Sequence, residues 1–346
     1  MFLAAISDKR YADWRNHILV DDSYTTVNDI TWGMRGGPLS VSLNISKGLN
    51  PDKLLSLLTQ HVTVYNNHAF DIWHGYVHEI SAVIGQTSVT LSMDNVYNRV
   101  SVMYTYNDGN TNIQAQTTWN EAWDSIEIYG AKEFITTLSD TTPSMADVQR
   151  DIILATHMNP MPVFGDGQEV VVTCYGYWKT LEWQYYGKDD TSLLDSILQL
   201  KDIFDYSQFA RDVIIDDIVG QQSPQGKKFN ETALKHATSV MNLGDDNGNH
   251  FVAEYLAGNK IHIHRLKDDG RILMPSGKVI RRDGFAVPDD EPIFGEILNL
   301  RGFNIPSLAG ANRVTISECA IDDTGKRRLK ILGSPSVMDF NTVGAG

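Results

Sequence analysis

The apolar positions change period along the chain, and the changes divide it into segments. From Trp73 to Tyr106 apolar and polar residues alternate in a stretch rich in β-branched and aromatic side chains. It reads Trp73-His74-Gly75-Tyr76-Val77-His78-Glu79-Ile80, turns at Gly85-Gln86, runs on from Val89 to Val100, and closes on Val102, Tyr104 and Tyr106. A period of two predicts antiparallel strands with one wet face. Between two of these strands lies a Ser92-x-Asp94-x-x-x-Asn98-Arg99-Val100 element, in which Asp and Asn can bond back to the backbone and fix a turn. A short helix starts at Pro51, with Asn50 as its cap, and Asn107-Asp108-Gly109-Asn110 predicts a turn.

The period then lengthens. Thr142-Pro143-Ser144-Met145 opens a helix in which Val148, Ile152 and Ala155 recur at helical spacing, and Asn159-Pro160 ends it. Strands are expected again between Glu169 and Tyr186, after a Gly165-Asp166-Gly167 turn. Thr191 to Ile215 reads as helix, with Leu194, Ile197, Leu198, Ile203 and Phe204 as its apolar stripe. Loop residues follow at Gly220 to Gly226, and a second helix runs from Asn230, its cap, to Asn242. Asn249 to Leu256 and Lys260 to Leu266, joined at Gly258-Asn259, predict a hairpin that echoes the one at Tyr76 to Thr90. The tail Thr342 to Gly346 reads as flexible or ordered by a partner. The fold class is α+β, mainly β, with antiparallel strands and inserted helical segments. The expected divisions are residues 1–112 with 164–190 as a first β domain, 113–163 as an inserted α/β subdomain, 191–243 as a helical connector, and 244–346 as a second β domain with a C-terminal tail.

The order of these pieces resembles the hub proteins of tailed-phage tails and baseplates. Ile30-Thr31-Trp32-Gly33-Met34-Arg35-Gly36-Gly37-Pro38 is similar to their Trp-x-x-Arg-x-Gly-Pro turn. Trp73-x-Gly75-x-Val77, Ser92-Met93-Asp94 and Asn98-Arg99-Val100 resemble their next strands, with Met93 where an aliphatic residue is expected. Asp124 to Gly130 resembles the start of their inserted subdomain, and Cys174 to Tyr186 their return strand. The likeness spans about the first 190 residues in order and is loose beyond. It marks Trp32, Arg35, Pro38, Trp73, Gly75, Asp94, Asn98 and Arg99 as structural motif residues. It implies tube-type β-barrel or sandwich domains and a virion location, with assembly in the host cytoplasm. The implied partners are further copies of the chain, as a trimer rather than a hexamer, together with the tail tube and other tail proteins. DNA would pass through without specific binding.

Composition narrows the alternatives. At 346 residues the chain exceeds one ordinary core, and 42% hydrophobic with 21% charged residues is a globular balance. No apolar run approaches the ~20 residues of a membrane span, and the apolar start, lacking a basic region before it, is expected to be a first strand and not a signal peptide. A net charge of −14 argues against a surface that grips nucleic acid. An acidic ring would let a duplex slide past, although an acidic surface serves solubility equally well. Cys174 and Cys319 are far apart with no metal-ligand spacing and are expected as free thiols.

Three constellations could carry chemistry. His262 and His264 lie two apart on a strand with His250 on its partner, the arrangement of a transition-metal pair; ordinary polar residues on a wet strand are the preferred reading, so no metal and no cofactor are expected. The loop Gly244-Asp245-Asp246-Asn247-Gly248-Asn249 fails a calcium pattern at His250 and Leu256 and reads as a polar turn. Asp71, Glu79, Asp94, Asp124 and Glu127 admit a glycosidase reading; the aromatics Trp73, Tyr76, Tyr104, Trp178, Trp183, Tyr185 and Tyr186 could stack sugars or bases, but core and subunit interface is the preferred reading. No nucleophile elbow, phosphate loop or zinc-protease helix is present. The expectation is a structural protein without catalysis; a carbohydrate-binding module for host recognition and a cell-wall-degrading tail enzyme are the alternatives.

Overall fold

The computed structural model describes residues 2–7, 17–19, 25–45, 51–66, 68–166, 169–187, 195–222, 231–303 and 312–333. Asn50, Leu194, Asn230, most of the loop after Gly220 and the tail from Thr342 lie outside the described residues.

The strand Asp71–Ile84 organises the molecule. Its first half pairs antiparallel with His61–Tyr65, and its second half with Thr87–Ser92 through the turn at Gly85, whose φ of +69° suits glycine. Along residues 76–81 its other edge takes Val170–Tyr175, which pairs in turn with Arg35–Ile45. Arg35–Ile45 forms a hairpin with Thr25–Gly33, and Arg313–Ile321 from the last third of the chain pairs with the far edge of that hairpin. One hydrogen-bonded sheet therefore joins the two ends of the sequence. Beyond His61–Tyr65 it continues through Leu3–Ser7 to His17–Leu19, and beyond Arg313–Ile321 to Arg327–Ile331. Its outermost strands do not pair with each other among the described residues, so the molecule is mainly β but not closed into a barrel.

A period of two does not here mean one wet face. Trp73 to His78 are six consecutive buried residues, and alternation resumes only at Glu79. The strand is sandwiched because Tyr177–Trp183 packs over it. That segment was expected to be strand and is a 3-10 helix. Its Thr180 hydroxyl donates back to the Tyr177 carbonyl at 2.6 Å, and tight winding turns Tyr177, Trp178, Leu181 and Trp183 together into the core.

Arg99–Asn107, assigned by its sequence pattern to the first β domain, belongs to a separate four-stranded sheet with Asn112–Gln116, Asn120–Glu121 and Glu133–Leu138. The Glu133–Leu138 pairing is parallel, which required a crossover the local pattern does not reveal. The helix Pro143–His157 lies on this sheet, burying Ala146 against Val102 and Tyr104. The Asn107-Asp108-Gly109-Asn110 turn forms as expected, with the Asp108 carboxylate accepting from the N–H groups of Asn110 and Thr111, each at 2.9 Å.

In the last third Phe251–Leu256 and Lys260–Arg265 form the expected hairpin. Asp212–Ile215, read as the end of a helix, instead adds to it as a parallel strand, because the helix ends at Asp205. Ala253 and Glu254 bridge to Arg35 and Gly36, so this sheet abuts the first. The helices Ser196–Asp205 and Ala233–Met241 are capped by Asp195 and Thr232 and pack into the main core, the first through Ile197, Leu200, Ile203 and Phe204; Leu198, expected on its apolar stripe, is exposed.

Candidate functional site

Five of the motif residues gather where the first hairpin crosses the long strand. Trp32, buried, donates from Nε1 to the carbonyl of Ile72 at 2.8 Å and so ties the hairpin to the strand beside Trp73. Pro38 faces Trp32 across the hairpin. Arg35 reaches the side-chain carbonyl of Asn242, just past the helix Ala233–Met241. Gly75 is required by close approach: a Cβ there would lie 2.2 Å from the Tyr175 carbonyl oxygen and 2.6 Å from the Trp73 ring. At Gly36, with φ of +108°, a Cβ would meet the Trp178 side chain at 2.5 Å. Turn, strand and 3-10 helix thus meet at van der Waals distance, and any larger residue would separate them.

The other three, Asp94, Asn98 and Arg99, form a joint at the base of the inserted sheet. Asn98 is fully buried and makes three bonds. Its Nδ2 donates to the Gly130 carbonyl at 2.8 Å and the Ser125 hydroxyl at 3.1 Å, and its Oδ1 accepts from the Lys132 N–H at 2.7 Å. One side chain therefore clasps the helix Trp123–Tyr129 and the loop after it. Arg99 pairs with two carboxylates, from Nε to Glu121 at 2.7 Å and from Nη1 to Glu133 at 2.6 Å, with its guanidinium 4.9 Å from the Trp119 ring centre. The second oxygen of Glu133 accepts from the Tyr185 N–H at 2.7 Å, which binds the insert to the segment after the 3-10 helix. Burial pushes the Glu133 carboxyl up, against the opposing pull of that N–H and of Arg99.

Lys132 completes the joint. Its buried ammonium donates to the backbone carbonyls of Met93 and Asp94 and lies 5.8 Å from the Trp183 ring centre. Burial brings it down to about 8, although Asp94 and Glu182 favour its charged form. Asp94 does not close its turn through the carboxylate, as its position suggested. It takes His78 Nε2 at 2.8 Å, while its backbone N–H goes to the Ser92 hydroxyl. Burial raises the Asp94 carboxyl, but the bond from His78 and the charge of Lys132 outweigh this and hold it below its usual range. Burial pulls the His78 imidazole down.

The joint aligns one sheet on another through charge-assisted contacts that are buried at Glu133 and Lys132 and partly exposed at Arg99, Glu121 and Asp94. Ser125 lies in the Asp124 to Gly130 segment already singled out, whereas Lys132, Glu133 and Glu121 carry no local sequence signal; a lysine and a glutamate side by side at the start of an apolar strand are the nearest hint. Asp71 and Glu79, the carboxylates flanking the aromatic strand, are eight residues apart on it, about 26 Å of extended chain, far from the roughly 5–9.5 Å of a glycosidase pair. Trp73, Tyr76, Trp178, Trp183 and Tyr186 are buried in the core and Tyr104 in the insert, not displayed as a stacking surface. Asp124 and Glu127 are exposed on the helix Trp123–Tyr129.

The histidine pair stands apart from this joint. His262 and His264 share one face of their strand with Glu254, whereas His250 is exposed just before Phe251–Leu256 and outside the group. Asp245 supports the loop to Asn249 as a polar turn, accepting from the N–H groups of Asn247 and Asn249 at 3.0 and 2.8 Å. Both cysteines are free and buried.

Neither the family models nor the curated proteins give a match to this chain. Among solved structures it is similar to the 43 kDa tail protein of prophage MuSo2 from Shewanella oneidensis, with a TM-score of 0.46 at 9% identity over 99% of both chains. It is also similar to the tail protein from Neisseria meningitidis MC58, with a TM-score of 0.42 at 7% identity over 99% of both chains.

Proposed function

We propose that this chain is a structural protein of a phage tail, a hub or baseplate ring component that closes the tail tube and connects it to spike or receptor-binding parts. The carrying observation is the sequence resemblance itself: its segments occur in the hub order, and their marked residues are the ones that hold this fold at its crossings. Trp32, Gly75 and Asn98 each fix one chain segment against another, as a rigid shell requires. On this reading the role is mechanical, and no catalysis is proposed.

A second observation supports assembly. The insert exposes large apolar side chains on its helices: Trp123 is 67% exposed, Met145 64%, Val148 56% and Ile152 53%. Apolar surface of this kind marks contact with another protein. On this reading the insert docks on the neighbouring copy, three copies form the ring, and DNA passes an acidic or neutral lumen without being gripped. A reconstruction of the particle that carries this chain tests the assignment. Density for the chain as a ring at the end of the tube is the expected result. Its placement outside the tail, or hydrolysis of a bacterial wall polymer that Glu79→Gln abolishes, contradicts the reading, and specific glycan-array binding would point to the host-recognition alternative.

A further inference from the structure

We propose that Glu254, His262 and His264 form a binding site for one divalent transition-metal ion of the zinc class, oriented from outside by Asp216. The inference is independent of the tail reading. Three neighbouring chain segments build the site. Glu254 on Phe251–Leu256 stands directly opposite His262 on Lys260–Arg265, and His264 is two residues further on the same face. One ligand atom from each of the three lies within 4.8 Å of the others, and the two imidazole rings are 4.7 Å apart. Asp216 directly follows the parallel strand Asp212–Ile215, and its N–H is held by the Ile263 carbonyl at 3.0 Å.

The hydrogen bonds around the rings select the metal-ready tautomers. His264 Nδ1 lies 2.8 Å from the Arg265 carbonyl, which can only accept, so Nδ1 carries the hydrogen. In the neutral ring the lone pair is then on Nε2, and that atom faces a carboxylate oxygen of Glu254 at 3.1 Å. Two acceptors facing each other need a cation between them, either a proton or a metal. His262 gives its Nε2 hydrogen to the Asp216 carboxylate at 2.9 Å, which leaves Nδ1 as its lone-pair nitrogen. A ligating imidazole whose other nitrogen donates to a carboxylate or a backbone carbonyl is the usual outer arrangement of a metal site, and here both rings have it. A metal ion would satisfy both nitrogens and the carboxylate together, without placing two imidazolium charges side by side. Two nitrogens and one or two oxygens suit zinc, cobalt or nickel; calcium and magnesium prefer all-oxygen sets. Glu254 and His264 are buried and His262 partly exposed, so the site is anchored inside and reachable from solvent.

The test is a titration of the EDTA-stripped full chain with Co2+, followed by its displacement with Zn2+. The expected result is one equivalent per chain with visible d–d absorption, lost on adding one equivalent of Zn2+. His262→Ala should abolish that binding, and Asp216→Asn, which removes only the outer carboxylate, should weaken it by about 10–100-fold. No one-equivalent binding by the wild-type chain overturns the proposal, as does affinity unchanged in His262→Ala. If His262→Ala loses its native circular dichroism, the exposed Asp216→Asn carries the comparison, and unchanged affinity there overturns the proposal.

Discussion

The helices Pro143–His157 and Ala233–Met241 begin alike, each with a threonine hydroxyl accepting from the N–H of the third helical residue, and finish in opposite surroundings. Ala233–Met241 buries Ala233, His236, Ala237, Val240 and Met241. Pro143–His157 buries only Ala146 and Leu154 and leaves Met145, Val148 and Ile152 in solvent. Its apolar residues recur at helical spacing, yet the face they form is turned away from its own sheet. An amphipathic pattern thus states that a helix has an apolar face without stating what covers it. In Ala233–Met241 the cover is the same chain. In Pro143–His157 the arrangement fits cover by another, which is why the insert carries the assembly side of the proposal.

The largest effect that separates the two helices is expected from charge at a covered position. Val240→Asp puts an unpaired carboxylate into the core and should cost about 4 kcal/mol or more, read as a lowered urea midpoint; a loss under about 1 kcal/mol would mean that this face opens easily. Asn98→Ala should follow, at about 3 kcal/mol, because it strands three buried partners on the helix Trp123–Tyr129 and the loop after it. An insert that detaches while the main sheet stays folded, seen as hydrogen exchange confined to residues 99–157, would sharpen the distinction between the two parts.

Lys132→Met tests the joint through pH. The folded lysine, at about 8, loses its proton before the unfolded one, near 10.5. Between those values the unfolded chain binds more protons, so wild-type stability should rise with pH relative to the variant, and below about pH 8 the difference should be flat. Parallel wild-type and variant stability curves from pH 7 to 10 would contradict the placement of this ammonium. Asp94→Ala should cost under about 1 kcal/mol, because its carboxylate is 65% exposed and its bond to His78 is screened. The smallest effect is expected at Ile152→Asp, within about 0.5 kcal/mol on the isolated chain.

The two regions also differ in how far they could be read from sequence. The hairpin at Gly85, the hairpin at Gly258 and the helix after Thr142 follow from local signals: period, caps and turn residues. Gly75 and Trp32 stood out as motif residues, but the reason for each, a carbonyl at Tyr175 and one at Ile72, lies 40 or more residues away. Arg99 is a motif residue, whereas its partner Glu133 arrives through a parallel crossover that no alternation pattern encodes, and Glu121 through a two-residue antiparallel strand too short to show a period. Of the strands expected between Glu169 and Tyr186, Val170–Tyr175 forms, whereas Tyr177–Trp183 departs because tertiary burial of Tyr177, Trp178, Leu181 and Trp183 favours a tighter coil over the strand preference of aromatic residues. His262 and His264 were visible as a pair, but Glu254 and Asp216 join them only through strand register.

The central claim is that the exposed face of Pro143–His157 is where copies of this chain meet in a closed ring. Native mass spectrometry of the wild type beside Ile152→Asp tests it directly. The account predicts three copies for the wild type and a single folded chain, with unchanged circular dichroism, for the variant. A wild-type hexamer, or a trimer that survives Ile152→Asp intact, would contradict it.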